Sequence, residues 1–512
     1  MEMLHLSLHN LISLFFICFI LLFVFFVKPN NKWHSLSMNK IGLRQIMIIY
    51  IAFFITILIS VLPMNLSPYW TGQIHQYADK QQYDRMGDAL LKGRLYIDNG
   101  DIDPALEALD NPYVLRERER LGVKYNWDEA YYNHHYYMYF GVVPTIILFI
   151  PFKLLTGNAL ITYQATQIFA SLTIIGLFYL FYILCRSFFP KFPFSLYLLL
   201  STAFSILSIG YSIAAPALYC TAIVSGVCLM VWCLVCFIKS VWLEADNKVN
   251  KIYLFTGSLL GALTFGCRPP VGLANLVALV VIYQIIKTGY NVKEKKYLIF
   301  LTLLPYIFVG VMLMSYNYAR FDNVFEFGQS YQLTIADQHM YRDFFEKFDL
   351  KSTLIGLYAN FYAMPGFANQ FPYVRHAGVF FNYPILLFSV SVLSKKTAEY
   401  LRKKRIYSIV LMLFFIPIVT TIFTIYWTPF LLKRYHLDFY YALCIVSFVA
   451  IASWFELLSE KNHKILICCI IILTFFVFVI EFLSFLLPIN GSYTFYNPTI
   501  LNEIHRGLRF GI

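Results

Sequence analysis

Charge is what this chain has least of. Only 13% of its 512 residues are Asp, Glu, Lys or Arg, and 28 are acidic. Soluble domains carry about 25% charged residues, so a globular protein with a solvated surface is excluded. The chain also lacks a Walker-type phosphate loop, a low-complexity tract and a separate soluble domain. It shows no pair of halves with matching hydropathy, the signature of repeat-built transporters. Its ten cysteines keep to apolar runs or their ends and avoid the polar loops. No C-x-x-C stands near histidines in a zinc spacing, and the C-x-x-C of Cys233 and Cys236 falls inside a hydrophobic helix, where it reads as packing. The first apolar run, Leu11–Val27, lacks a charged leading region and a small-residue cleavage site, so it is expected to be a retained helix.

Apolar residues are abundant instead: 59% of the chain, with a mean hydropathy of +0.63. A bilayer span needs about 20 mostly apolar residues and must be helical, because lipid offers backbone groups no partner. Candidate spans lie near 10–27, 46–64, 140–156, 160–185, 195–213, 215–238, 252–267, 271–287, 297–318, 378–394, 406–426, 440–457 and 464–487. The expected fold is an all-α polytopic membrane protein with about 12–14 transmembrane helices and a large first external loop bearing surface helices. It divides into N-terminal helices (1–64), an external loop (65–139), a transmembrane bundle (140–318), a second external loop (319–377), C-terminal helices (378–487) and an external tail (488–512).

The net charge of +12 bears on orientation rather than nucleic acid. Lys and Arg collect in cytoplasmic loops, and the dense segments are Lys28–Arg44, Lys287–Lys296, Lys395–Arg405 and Lys461–Lys464, with a mixed one at Lys239–Lys251. With these inside, 65–139, 319–377, 428–437 and the tail lie outside. The short segment 140–156, with Pro144 and Pro151, then has the wrong parity for a simple crossing. Either it is re-entrant, or a neighbour hides two short helices, or the Arg186/Lys191 loop departs from the charge rule.

About a dozen of the 28 acids fall in the 65–139 loop, more than spanning a bilayer requires. The stretch from Asp79 to Gly93 is expected to form a surface helix, with Asp79 and Tyr83 on one face and Asp84 and Asp88 likewise. A carboxylate held at the membrane surface can serve as a general base towards a hydroxyl. The plain alternative is an amphipathic helix with solvated acids. Asp128 and Glu129 form a second acidic candidate. The Tyr run around His134 and His135, including Tyr137, suits an aromatic belt or a sugar-stacking surface; adjacent histidines diverge, which argues against a shared metal. Arg268 in FGCRPP and the KRYHLDFYY stretch (Lys433, Arg434, His436, Asp438) place cations at predicted outer helix ends, where a guanidinium can grip phosphate. Their ordinary alternatives are interfacial anchoring and an Arg434–Asp438 i,i+4 pair. Arg320, Glu326 and Tyr331 open the second loop, and Arg375 and His376 close it. Glu481 is an ionisable group inside the last span.

An acid after an early span, a Tyr four residues on, a helix ending in Gly and a Tyr-rich run into a Pro-containing segment resemble the GT-C superfamily of membrane glycosyltransferases. In its protein mannosyltransferase-like (glycosyltransferase family 39-like) branch the first loop reads D-E-x-x-Y…G. Asp79, Tyr83 and Gly93 match, with Lys80 in place of the Glu. GDALLKGRLYID, NPY (Asn111–Tyr113) and DEAYYNHHYYMYFGVVP are similar to a bacterial branch patterned ADALLHGRL…NPYD…YYxGKYYxYFGPxP, in which Asp88 matches the acid. R-Y-x-x-D at 434–438 and Y-N-Y-x-R-F at 316–321 also have counterparts. The resemblance is clearest over 75–160.

It implies transfer of a sugar from a polyprenyl-phosphate donor to a cell-envelope glycan, lipid or protein, at the outer face of a bacterial plasma membrane. Asp79 or Asp88 would be the base. Tyr83, Asp128, Tyr137, Arg268, Arg320, Arg434 and Asp438 would contact sugar or lipid phosphate. No cofactor is called for, and a divalent cation remains open; the one D-x-D, Asp101-Ile102-Asp103, sits in a turn-like context. The rival readings are a polysaccharide polymerase or ligase using diphosphate-linked oligosaccharide, and a lipid-linked sugar flippase or transporter.

Overall fold

The computed structural model describes residues 23–24, 28, 31–66, 81–97, 102–216, 218–244, 248–341, 348–365, 369–373, 377–428, 431–488, 494 and 498–508. Most of the first expected span, together with Asp79, Asp101, Arg375 and His376, lies outside the described residues.

Among the described residues, nine helices are long and apolar enough to cross a membrane: Leu43–Leu66, Thr162–Phe188, Phe194–Ala214, Leu218–Val241, Pro269–Ile286, Val292–Phe321, Tyr407–Trp427, Lys433–Leu457 and Glu460–Phe485. Three shorter apolar helices, Thr145–Thr156, Lys251–Phe265 and Pro384–Leu393, occupy three further expected segments. The chain is an all-α, multi-pass membrane protein.

Burial sorts these helices. In Leu218–Val241 and Lys433–Leu457, 94% of the apolar window is buried, whereas in Leu43–Leu66 and Val292–Phe321 only 11% and 22% are. The first two form the centre of the bundle. The second two keep residues such as Leu43, Ile55, Ile307 and Phe308 exposed among the described residues, an apolar surface suited to a lipid bilayer.

The helix ends fall into two groups. At one end Ser37 bridges to Pro193, the Lys191 amide donates to Glu456, Trp242 Nε1 donates to the Arg405 carbonyl, and the Val249 amide donates to the Tyr290 hydroxyl. The basic connections gather here, and Arg186 donates to the Met38 carbonyl in the same layer. The opposite end carries the two long polar segments.

The 140–156 segment belongs wholly to that second end. The Val143 amide donates to the Gly266 carbonyl at 2.9 Å, and Lys153 binds Asp84 and Asp88 of the Gln82–Leu91 helix. Just beyond, the Thr162 amide donates to Gln81. Twelve helical residues reach about 18 Å, short of the roughly 30 Å hydrocarbon core. With both ends at one end of the bundle, the segment does not run through it, in keeping with the re-entrant alternative. Gly141 makes the entry: a Cβ there would overlap the Gly266 and Cys267 carbonyls. Gly141→Ala is therefore expected to destabilise the folded protein by about 1–3 kcal/mol, the usual cost of forcing an extra group into a packed contact, measured as thermal unfolding in detergent. Unchanged stability would mean the contact at Gly266 does not matter.

In the first polar segment the helix is Gln82–Leu91, shorter than the sequence suggested, and Gly93 closes it at φ +70. Short helices Pro104–Glu107 and Leu115–Arg120 follow. The Tyr run forms a hairpin, β1 (Ala130–Tyr132) and β2 (His135–Tyr137), turning through Asn133 and His134 at positive φ. This two-residue turn matches strand twist. The second polar segment docks on β1: Ala130 bridges Gln332, and the Tyr131 amide donates to the Tyr331 carbonyl. Fully buried Arg118 donates to the Pro112 and Thr334 carbonyls, pinning both segments together.

Candidate functional site

Where the two polar segments meet the bundle there is a cavity of about 530 Å³. It is built from six parts of the chain: Trp127–Asp128 before the hairpin, Tyr139–Gly141 after it, the junction between two spans marked by Ala215 and Cys220, the Arg268–Pro270 corner, residues within 327–338, and the set Thr424, Trp427, Thr428, Leu432, Arg434 and Tyr435. Prolines and chain breaks interrupt the apolar spans at this level, and the side chains turned inward there are polar and aromatic.

Asp128 is the one carboxylate among the residues lining the cavity. It is buried, and its φ of +56 is unusual for a residue with a side chain. Such backbone persists only where the surroundings over-determine it. Here the Asp128 amide donates to the Leu333 carbonyl at 3.0 Å, and the Asp128 carbonyl accepts from Gln82 Nε2 at 3.2 Å. The carboxylate accepts from Gln332 Nε2 at 2.9 Å and, at short range, from the Tyr219 hydroxyl. Burial pushes its pKa up to about 6, against the opposing pull of Arg434 and of hydrogen bonds from Thr334, Gln332 and Trp127. A carboxyl titrating near neutrality can exchange protons with a bound hydroxyl.

The two arginines differ in their commitments. Arg268 forms a bidentate pair with Asp438, Nε to Oδ1 at 2.7 Å and Nη2 to Oδ2 at 3.1 Å. Asp438 is fully buried, and its partner is Arg268 on another span rather than Arg434 four residues away. The Arg268 guanidinium also lies over the Tyr435 ring at 5.0 Å. Arg434 lies over the Tyr219 ring at 4.0 Å. Its buried Nε has no hydrogen-bond partner, and no carboxylate stands within ion-pair distance of it among the described residues. A buried cation without a paired anion at a cavity wall is poised for an anionic ligand. Around it stand Tyr139, Tyr435 and Trp427 and the amides of Gln329, Gln332 and Gln338. Flat rings and amides are the groups that stack on and hydrogen-bond to sugars.

Of the residues singled out from the sequence, Asp128, Arg268 and Arg434 thus line one cavity, with Asp438 behind Arg268. The others lie elsewhere. Asp88 binds Lys153 Nζ at 2.6 Å with Asp84 beside it, outside the cavity. Tyr83 is buried and stacked on Phe149 at 5.2 Å. Tyr137 packs against Phe321. Arg320 donates to the Met138 carbonyl and to Asn317, with its guanidinium over Tyr316; it ties the end of a span to the hairpin. Glu129 is buried and paired with Arg85 at 2.6 Å. Glu326 caps its own loop at the Gly328 amide. His134 binds Glu107 while His135 stacks on Tyr96, so the two diverge.

Tyr219, Tyr435, Gln332 and Trp127 were not picked out from the sequence. Tyr219 had a signal in Pro216, which interrupts two apolar runs just before it; Gln332 had none. A divalent cation does not suit this donor set. Asp128 already accepts from Tyr219 and Gln332, with Arg434 close enough to pull on its pKa, and no group of three or more His, Cys, Asp or Glu side chains converges among the described residues. No protein-family model, curated protein or solved structure matches this chain.

Proposed function

We propose that the protein is a GT-C-type membrane glycosyltransferase that moves a sugar from a polyprenyl-phosphate donor to a cell-envelope acceptor. One observation carries this reading: a near-neutral carboxylate, Asp128, and an unpaired guanidinium, Arg434, line the same sugar-sized cavity at one end of the apolar bundle. Inverting displacement needs these two groups. The acceptor oxygen attacks the sugar C1 as its proton passes to Asp128. The bond from C1 to the phosphate oxygen breaks, and the electron pair leaves with the lipid phosphate, whose charge Arg434 stabilises. Arg268, neutralised by Asp438, holds Tyr435 in the wall. Tyr219 touches both centres, donating to Asp128 and lying under Arg434.

On this reading the base is Asp128, which takes the role that the resemblance implied for Asp79 or Asp88. The basic connections at the far end would face the cytoplasm, so the cavity would open at the outer face of a bacterial plasma membrane. Among the described residues lining the cavity, Arg434 is the cation without a carboxylate in ion-pair contact, since Arg268 is held by Asp438, and with Asp128 given to the acceptor this favours a phosphate over a diphosphate donor.

Arg434→Gln is expected to weaken binding of a short-chain polyprenyl phosphate to the purified protein by roughly 10- to 100-fold, the scale of one charge-assisted contact. Binding that is unaffected would remove the phosphate assignment.

A further inference from the structure

Behind the large cavity lies a second one of about 20 Å³, room for a single water. Tyr211 forms a wall of both. The small cavity is bounded by Lys433, Glu481, Tyr383 and Ser484. The Tyr383 hydroxyl donates to Glu481 at 2.5 Å, and Lys433 Nζ approaches Ser484 Oγ at 3.4 Å. Glu481 and Lys433 face each other across this space without a direct ion pair. The Glu481 carboxylate rests on Gly210, where a Cβ would overlap it. Lys433 and Arg434 are chain neighbours, yet Arg434 lines the large cavity and Lys433 the small one. An ammonium so close to a phosphate site would be drawn to the phosphate unless another anion held it.

We propose that Glu481 is a specificity-determining residue. By holding Lys433 in the rear cavity it leaves Arg434, among the described residues, as the cavity cation without a carboxylate partner, and so sets the site for a singly charged phosphodiester over a diphosphate. This rests on the phosphate-site reading above. With Glu481 neutral, the Lys433 ammonium turns past Tyr211 towards the large cavity and adds a second positive charge, which a diphosphate exploits more than a phosphodiester does.

The test measures binding of two probes, dodecyl methyl phosphate and dodecyl diphosphate, to the full-length purified chain. Wild type should prefer the phosphodiester. Glu481→Gln should shift the ratio towards diphosphate on the order of tenfold, the scale of one added charge at a partly buried site. Lys433→Met/Glu481→Gln should return the ratio to wild type. A folded Glu481→Gln protein with the wild-type ratio overturns the proposal. If that variant does not fold, Gly210→Ala displaces the same carboxylate without removing it; it should shift the ratio in the same direction, and an unchanged ratio overturns the proposal equally. If wild type binds neither probe, the phosphate-site reading itself falls and the proposal with it.

Discussion

Asp128→Asn is expected to lower sugar transfer by roughly 10²- to 10⁴-fold, the usual contribution of a positioned general base, and at the same time to stabilise the folded protein. The two effects share a cause. Burial raises the Asp128 pKa from 3.8 to about 6, so the folded protein disfavours the ionised form. Stability is lost as pH rises from the unfolded value near 3.8 to the folded value near 6, and the deficit persists above that. The shift corresponds to about 3 kcal/mol at neutral pH. Asparagine carries no charge and escapes the deficit. Its carbonyl can still accept from Gln332, and the Tyr219 hydroxyl can turn to accept from its amide. Thermal unfolding in detergent at pH 7.5 should show Asp128→Asn above wild type, with the gap closing towards pH 4. The activity of wild type should rise with pH through a limb near 6, since the base acts deprotonated. A variant that is less stable and fully active would contradict both halves.

Asp438→Asn should have the opposite outcome. It leaves Arg268 as a buried cation without its bidentate partner, and breaking a buried pair costs about 3–5 kcal/mol. The variant is expected to accumulate poorly or to unfold well below wild type. Arg268→Met/Asp438→Leu, which removes both charges, should recover most of that stability, because replacing a buried pair with apolar groups is often neutral or better. It should not recover full activity, since Arg268 also packs on Tyr435 in the cavity wall. Thermal stability of the three proteins by fluorescence-detected size exclusion checks this. A double variant no more stable than Asp438→Asn would mean that the pair is not what holds these two helices together.

The spans were legible because hydropathy alone decides which segments lipid accepts; Leu218–Val241 and Tyr407–Trp427 could hardly be read otherwise. The depth of each span was not legible. Nothing local distinguishes the buried Leu218–Val241 helix from the lipid-exposed Leu43–Leu66 helix, since both are apolar all round. Cations at helix ends were conspicuous, which is why Arg268 and Arg434 could be named from sequence. Their partners could not be. Asp438 lies four residues from Arg434 but pairs with Arg268, 170 positions away, because packing of the Pro269–Ile286 and Lys433–Leu457 spans decides the match. Asp88 looked stronger than Asp128 because its helix was visible in the sequence. What sets Asp128 apart, its backbone conformation and its docking on Gln332 and Leu333, depends on a contact between two loops far apart in sequence. The short 140–156 segment was visible as an anomaly of parity, and support for the re-entrant alternative came from which end of the bundle its ends contact.

The most direct test of the central claim is transfer itself. Purified wild-type protein in sealed lipid vesicles, given a panel of radiolabelled polyprenyl-phosphate sugars and cell-envelope acceptors, should release free polyprenyl phosphate in step with labelled acceptor. Asp128→Asn should do neither at a comparable rate. Movement of the labelled lipid across vesicles with no sugar released, and equally so in Asp128→Asn, would show that the cavity transports rather than transfers.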